Sequence, residues 1–134
     1  MPVFGPASEK QLATCHPRLV LVLREAIKYF DFTVVEGHRG KAAQNAAYAK
    51  GLSQLPWPLG NHNKLPSEAA DLAPYPVDWS NKAKAHFRFM FMMGVVWVCA
   101  KQLGVKVRFG FDWNRNLDPR DESFVDLPHV ELDE

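Results

Sequence analysis

Asn61-His62-Asn63-Lys64-Leu65-Pro66-Ser67-Glu68-Ala69-Ala70-Asp71-Leu72-Ala73-Pro74-Tyr75 puts a histidine and a carboxylate on either side of a Pro-Ser turn. Glu68 to Ala73 alternates in strand fashion. Ala69, Asp71 and Ala73 share one face, and Ala70 and Leu72 take the other. The small alanines beside Asp71 leave room for something to approach its carboxylate. The far end of the chain adds Asp126-Leu127-Pro128-His129, where Pro128 stiffens the turn. His62, Asp71 and His129 make a three-ligand zinc site with one open position. That is the pattern of a catalytic zinc, whereas structural zinc sites are usually closed by four ligands, often cysteines. Asp126 is left over as a base that takes a proton during attack and later hands one to the leaving group. The alternative for Asp126 is an exposed turn residue.

Other candidates cluster around this core. Arg39 follows a strand end at Gly37-His38-Arg39. There a guanidinium can clamp a carboxylate or stabilise an oxyanion. Gln44 lies about one helical turn further on, where it is expected to be solvated or else to hydrogen-bond a peptide carbonyl of a substrate. Glu131 shares a strand face with His129 and is placed to orient that histidine, or else to be exposed. His16, His38 and His86 are poorer ligands: one is at a helix start, one beside a strand end and one on a long helix. Asp112-Trp113-Asn114-Arg115-Asn116-Leu117-Asp118 spaces oxygen side chains like the first half of a calcium loop. Leu117 stands where that loop needs glycine, so a polar loop whose Asx side chains bond their own backbone is favoured over a Ca2+ site.

Working outward, Ser8 reads as a helix N-cap with Gln11 completing a capping box. Pro17 opens a second helix whose core face is Leu19, Val20, Leu23, Ala26, Ile27 and Phe30. Asp31 to Glu36 is a strand ending at Gly37, and Ala42 to Lys50 is a helix stopped by Gly51. Leu52 to Leu65 is an irregular loop that delivers His62. Asp78-Trp79-Ser80-Asn81 starts the longest helix, which runs to about Leu103 and stops at Gly104. It is nearly all apolar from Phe87 onward and is expected wholly in the core. Val105 to Phe109 and His129 to Leu132 are strands, with the polar loop Asp112 to Ser123 between them. Helices followed by strands around one long helix predict a single α+β domain over residues 1–134, a small antiparallel sheet packed by helices.

The composition suits an ordinary globular domain. A net charge of +1 argues against a general nucleic-acid binder. Cys15 and Cys99 read as two buried free thiols in preference to a disulfide. Met1 to Pro6 shows no basic stretch followed by an apolar run, so no signal peptide is expected. The apolar run Phe89 to Ala100 is too short to span a bilayer, so no membrane protein is expected.

These motifs resemble one family, the zinc D-Ala-D-Ala carboxypeptidases and L-alanyl-D-glutamate endopeptidases, and within it the short single-domain phage endolysins. The resemblance covers most of the chain. It runs from Ser8-Glu9-Lys10-Gln11-Leu12 through Val35-Glu36-Gly37-His38-Arg39 with Gln44-Asn45, then His62-Asn63 with Pro66 to Asp71. It continues in Arg108-Phe109-Gly110 with Asp112-Trp113 and closes at Asp126-Leu127-Pro128-His129-Val130-Glu131-Leu132. It implies zinc on His62, Asp71 and His129, Asp126 as catalytic base, and Arg39 stabilising substrate or oxyanion. Gln44 would be a further substrate contact, in a fold of the Hedgehog/DD-peptidase type. The expected activity is hydrolysis of the peptidoglycan stem peptide at L-alanyl-D-glutamate, in host cell lysis by a phage or prophage. A monomer is expected, made in the host cytoplasm and released to the wall through a holin-type pore. The alternatives are a D,D-carboxypeptidase removing terminal D-Ala and a non-catalytic wall-binding module. Two features depart from the family pattern. Gly60 stands where relatives usually have a serine, and His62 and Asp71 are further apart than in many members.

Overall fold

The computed structural model describes all residues 1–134. Four helices, α1 (Pro6–Leu12), α2 (Pro17–Ala26), α3 (Lys41–Ala49) and α4 (Ala83–Leu103), accompany four strands, β1 (Phe32–Glu36), β2 (Ala69–Pro74), β3 (Val107–Phe109) and β4 (His129–Leu132). The sheet is antiparallel throughout, in the order β1-β2-β4-β3. The α+β expectation therefore holds.

Side chains alternate across the sheet, and the two faces do different work. Ala70, Leu72, Val130 and Phe109 join Leu19, Val22, Leu23 and Ala26 of α2 and Met92, Met93 and Val96 of α4 in one hydrophobic core. Asp71, His129 and Glu131 project from the other face, in register with one another: Asp71 pairs with His129 and Ala69 with Glu131. A bulge in β1 between Val34 and Glu36 sets Glu36 opposite Asp71. Bulges re-aim side chains in this way beside functional sites.

Three expectations are corrected. Ser8 is not the N-cap of α1; Gly5 is, with Pro6 at the first helical position. Ser8 is buried inside the helix, where its Oγ accepts from Val34 N at 3.0 Å, while Gln11 Oε1 accepts from Gly37 N. Both side chains bond the neighbouring strand in preference to their own helix. α4 starts at Ala83, not at Asp78, whose carboxylate turns back on Ser80 N. Nor is α4 wholly buried: Phe87, Phe91 and Val98 face solvent. At 21 residues it is long and apolar enough to cross a membrane, but its inner side is committed to the core of this fold. Gly104 ends it in the left-handed conformation, φ 69°, as glycine readily does. Cys15 and Cys99 are buried free thiols.

Candidate active site

Three elements converge on one point. The short 3-10 turn Asn61–Asn63 carries His62, β2 carries Asp71 and β4 carries His129. The side-chain donors of these residues lie within 4.8 Å of one another. His62 Nε2 stands 3.2 Å from Asp71 Oδ1, and His129 Nδ1 stands 3.5 Å from the same oxygen. Ligands about 2.0–2.1 Å from a tetrahedral zinc stand about 3.3–3.4 Å apart, so both spacings suit that ion.

The tautomers are set from behind. His62 Nδ1 lies 2.7 Å from the carbonyl of Gly37, which can only accept, so Nδ1 carries a proton and Nε2 is the nitrogen turned to the cluster. His129 is turned the other way. Its Nε2 donates to Glu131 Oε1 at 2.7 Å, which leaves Nδ1 for the cluster. Glu131 is itself held at 5% exposure by Arg108 (2.8 Å) and Asn61 (2.9 Å). Such a chain of bonds fixes the ring of His129 and raises its basicity, as behind histidines that bind metals.

Arg39 presses on Asp71 from the side. Its guanidinium bonds Glu36 Oε1 through Nε at 2.7 Å, Gln44 Oε1 at 3.1 Å and Asp71 Oδ2 at 3.3 Å. Gln44 is only 1% exposed, not solvated at the rim. Its Nε2 donates to Ser53 Oγ and Leu55 O, and its Oε1 accepts from Arg39 and Asn63. No buried side-chain nitrogen or oxygen lacks a partner, so the network is fully satisfied.

Electrostatics separates the two aspartates. Burial alone would raise the Asp71 carboxyl, but hydrogen bonds from His129 and His62 hold it far below the usual range. Asp126 has no such support. Burial, and then the negative charge of Asp71, push it up to about 6. Its Oδ2 lies 3.9 Å from His129 Nδ1, on the open side of the cluster. Burial would lower His129, but its bonds to Asp71 and Glu131 raise it to about 9.

The cluster opens into a cleft of about 410 Å³ lined by Leu52, Leu55 and Leu59 on one side and Trp113 and Phe124 on the other. A second hollow, about 680 Å³, continues past Asp71 and Asp126 toward Lys50 and Trp79. Trp113 is fixed by a bond from Nε1 to Phe124 O, and its ring lies 5.3 Å from that of His129.

The model of the phage L-alanyl-D-glutamate peptidase family matches residues 3–133. The chain belongs to that family. It is 39% identical over 137 aligned residues to the L-alanyl-D-glutamate peptidase of Escherichia phage T5, covering 96% of each chain. Its fold matches the crystal structure of the Serratia marcescens L-Ala D-Glu endopeptidase ChiX with a TM-score of 0.74 at 29% identity. That match covers 97% of this chain and 90% of the other.

Two glycines matter here beyond their place in a motif. A Cβ on Gly110 would run into Asp126 O and come within 2.8 Å of His129 Cβ. The Asp126–His129 turn thus rests directly on the Gly110 backbone, bonded through Asp126 N to Gly110 O and Gly110 N to His129 O. At Gly60 a Cβ would press on Asn63 Oδ1 at 3.0 Å, the same atom that accepts from Gly60 N. In the Asp112–Asp118 loop the Asx side chains bond backbone: Asp112 takes Asn116 N and Leu117 N, and Asn116 takes Asp118 N.

Proposed function

We propose that this protein is a zinc-dependent endopeptidase that cuts the L-alanyl-D-glutamate bond of the peptidoglycan stem peptide. One observation carries the reading: two imidazole nitrogens and a carboxylate oxygen lie within 4.8 Å of one another beside an open cleft, with Asp126 next to them. Two imidazoles and a carboxylate form a donor set that suits zinc. Zinc held there by His62, Asp71 and His129 would act as a Lewis acid on water and on the scissile carbonyl.

The chain's own residues do the rest. Asp126, with its carboxyl near 6, is ionised at neutral pH yet basic enough to accept a proton from the attacking water. It then returns that proton to the departing amine of D-glutamate. Arg39, anchored by Glu36 and Gln44, holds Asp71 in place and offers positive charge to the developing oxyanion. Gln44 acts through Arg39 and the walls of the 53–55 loop, positioning substrate contacts from behind. Leu52, Leu55, Leu59 and Trp113 give the cleft apolar walls for the peptide.

The phage setting of the family supports a lytic role. On this reading a monomer accumulates in the host cytoplasm and reaches the wall through a holin-type pore. The test is mass spectrometry of purified peptidoglycan incubated with the protein, with and without a chelator. New free amino termini on D-glutamate, blocked by chelator and restored by zinc, are expected. Release of single D-Ala residues would replace the reading with a D,D-carboxypeptidase. Binding to the wall with no cleavage by the zinc-loaded protein would replace it with a binding module.

A further inference from the structure

The outer side of α4 is a surface that the site does not use. Phe87 and Phe91 are 69% and 66% exposed and stand one helical turn apart. Val98 continues the same side, and Phe30 rests against Phe91 with ring centroids 5.6 Å apart. Single exposed apolar residues are ordinary, but a run of them along one helix face marks an interaction site.

Cations flank this stripe. α4 carries Lys84, Arg88 and Lys101 and no acidic residue, and Lys82 is its N-cap. Positive charge at a helix N-terminus opposes the macrodipole, so helix stability does not account for Lys82 and Lys84. Arg88 donates to the carbonyls of Tyr75 and Pro76 at 2.8 and 2.7 Å. That ties the exposed Tyr75 beside the helix. The nearby carboxylates include Asp78, which accepts from Ser80 N, Asp31, which adjoins Phe30, and Glu25, which is paired with Lys28. Lys82, Lys84 and Arg88 still leave a positive excess over Asp78 and Asp31.

Aromatic rings and aliphatic groups between cations match the chemistry of an anionic bilayer surface: rings enter the interface and ammonium groups meet lipid phosphates. We propose that the outer face of α4 docks the protein on an anionic phospholipid surface. The contact is peripheral, because Met92, Met93 and Val96 on the inner side remain in the core. α4 packs behind the sheet, and Asp71 and His129 project from the sheet's opposite face. A docked molecule thus turns its cleft away from the bilayer. That this aims the cleft at the wall rests on the peptidase reading, whereas the docking itself does not.

Flotation of the full chain with lipid vesicles tests the proposal. Binding is expected to vesicles containing about a third phosphatidylglycerol, not to phosphatidylcholine alone, and is lost as salt rises toward about 1 M. Phe87→Ser with Phe91→Ser should lower the bound fraction about tenfold, and Lys82→Glu with Lys84→Glu should do likewise. Both variants should cleave peptidoglycan fragments in solution as the parent does. Equal binding to neutral vesicles, undiminished binding by the double-Phe variant, or no binding at all overturns the proposal. Self-association that the Phe substitutions abolish, without vesicle binding, would assign the face to a second copy instead. Vesicle binding by a protein that cuts no peptidoglycan would sink the peptidase reading alone.

Discussion

Two aspartates that face His129 Nδ1, at 3.5 and 3.9 Å, are held in opposite regimes. Asp71 is stabilised as an anion by His62, His129 and Arg39, which suits a ligand. Asp126 is desolvated without a bonded partner and sits near 6, which suits a base. Turnover is therefore expected to fall as the pH drops below about 6, where Asp126 takes up its proton. A bound dication, which favours the carboxylate, moves that limb lower. Asp126→Asn should keep zinc and lose about two to four orders of magnitude in kcat; a pH profile of kcat/KM and a zinc assay check both statements. Glu131→Gln removes the carboxylate behind His129. It should weaken zinc binding by about ten- to a hundredfold, read by competition with a chromogenic chelator.

At the scale of elements, tight backbone contacts set the geometry. Gly110 lets β3's end pass under the Asp126–His129 turn with no room for a methyl group. Gly110→Ala should displace both side chains and lower kcat about a hundredfold, while costing about 1–3 kcal/mol of stability. Steady-state kinetics and urea unfolding measure the two effects. Ser8 joins α1 to β1 far from the cleft. Ser8→Ala leaves Val34 N without its buried acceptor and should cost about 1–3 kcal/mol. Its zinc affinity should stay unchanged, which separates a structural strut from a site residue.

For the whole molecule, metal and fold are linked. His129 is raised to about 9 in the metal-free protein, from an ordinary 6.5. Its imidazolium thus stabilises the metal-free fold fully below about 6.5, and that contribution is lost as the pH rises through about 9. Melting temperatures of the chelated protein should therefore fall across this window. Zinc displaces the proton and should remove that slope. It should also add about 4 kcal/mol at a free concentration about a thousandfold above Kd. A chelated protein whose melting temperature rises from pH 6.5 to 9 would contradict the arrangement around His129.

The sequence by itself determined the elements and pointed to the residues that meet in the cleft. Period-two alternation marked β2 and β3, helical spacing marked α2, and Gly104 marked the end of α4, because these are properties of a few adjacent residues. His62, Asp71, His129 and Asp126 were legible because their chemistry is rare and their order along the chain is distinctive. Only the tertiary structure decided what their neighbours do. Ser8 looks like a cap, yet it reaches a strand that lies 26 residues away in sequence. Gln44 looks solvated, yet a loop folds over it, and Gly110 matters through a turn that arrives from Asp126. The outer face of α4 reads as core, because composition counts apolar residues without saying how many the core can accept. Each of these depends on long-range packing, and no local pattern records which surfaces will meet.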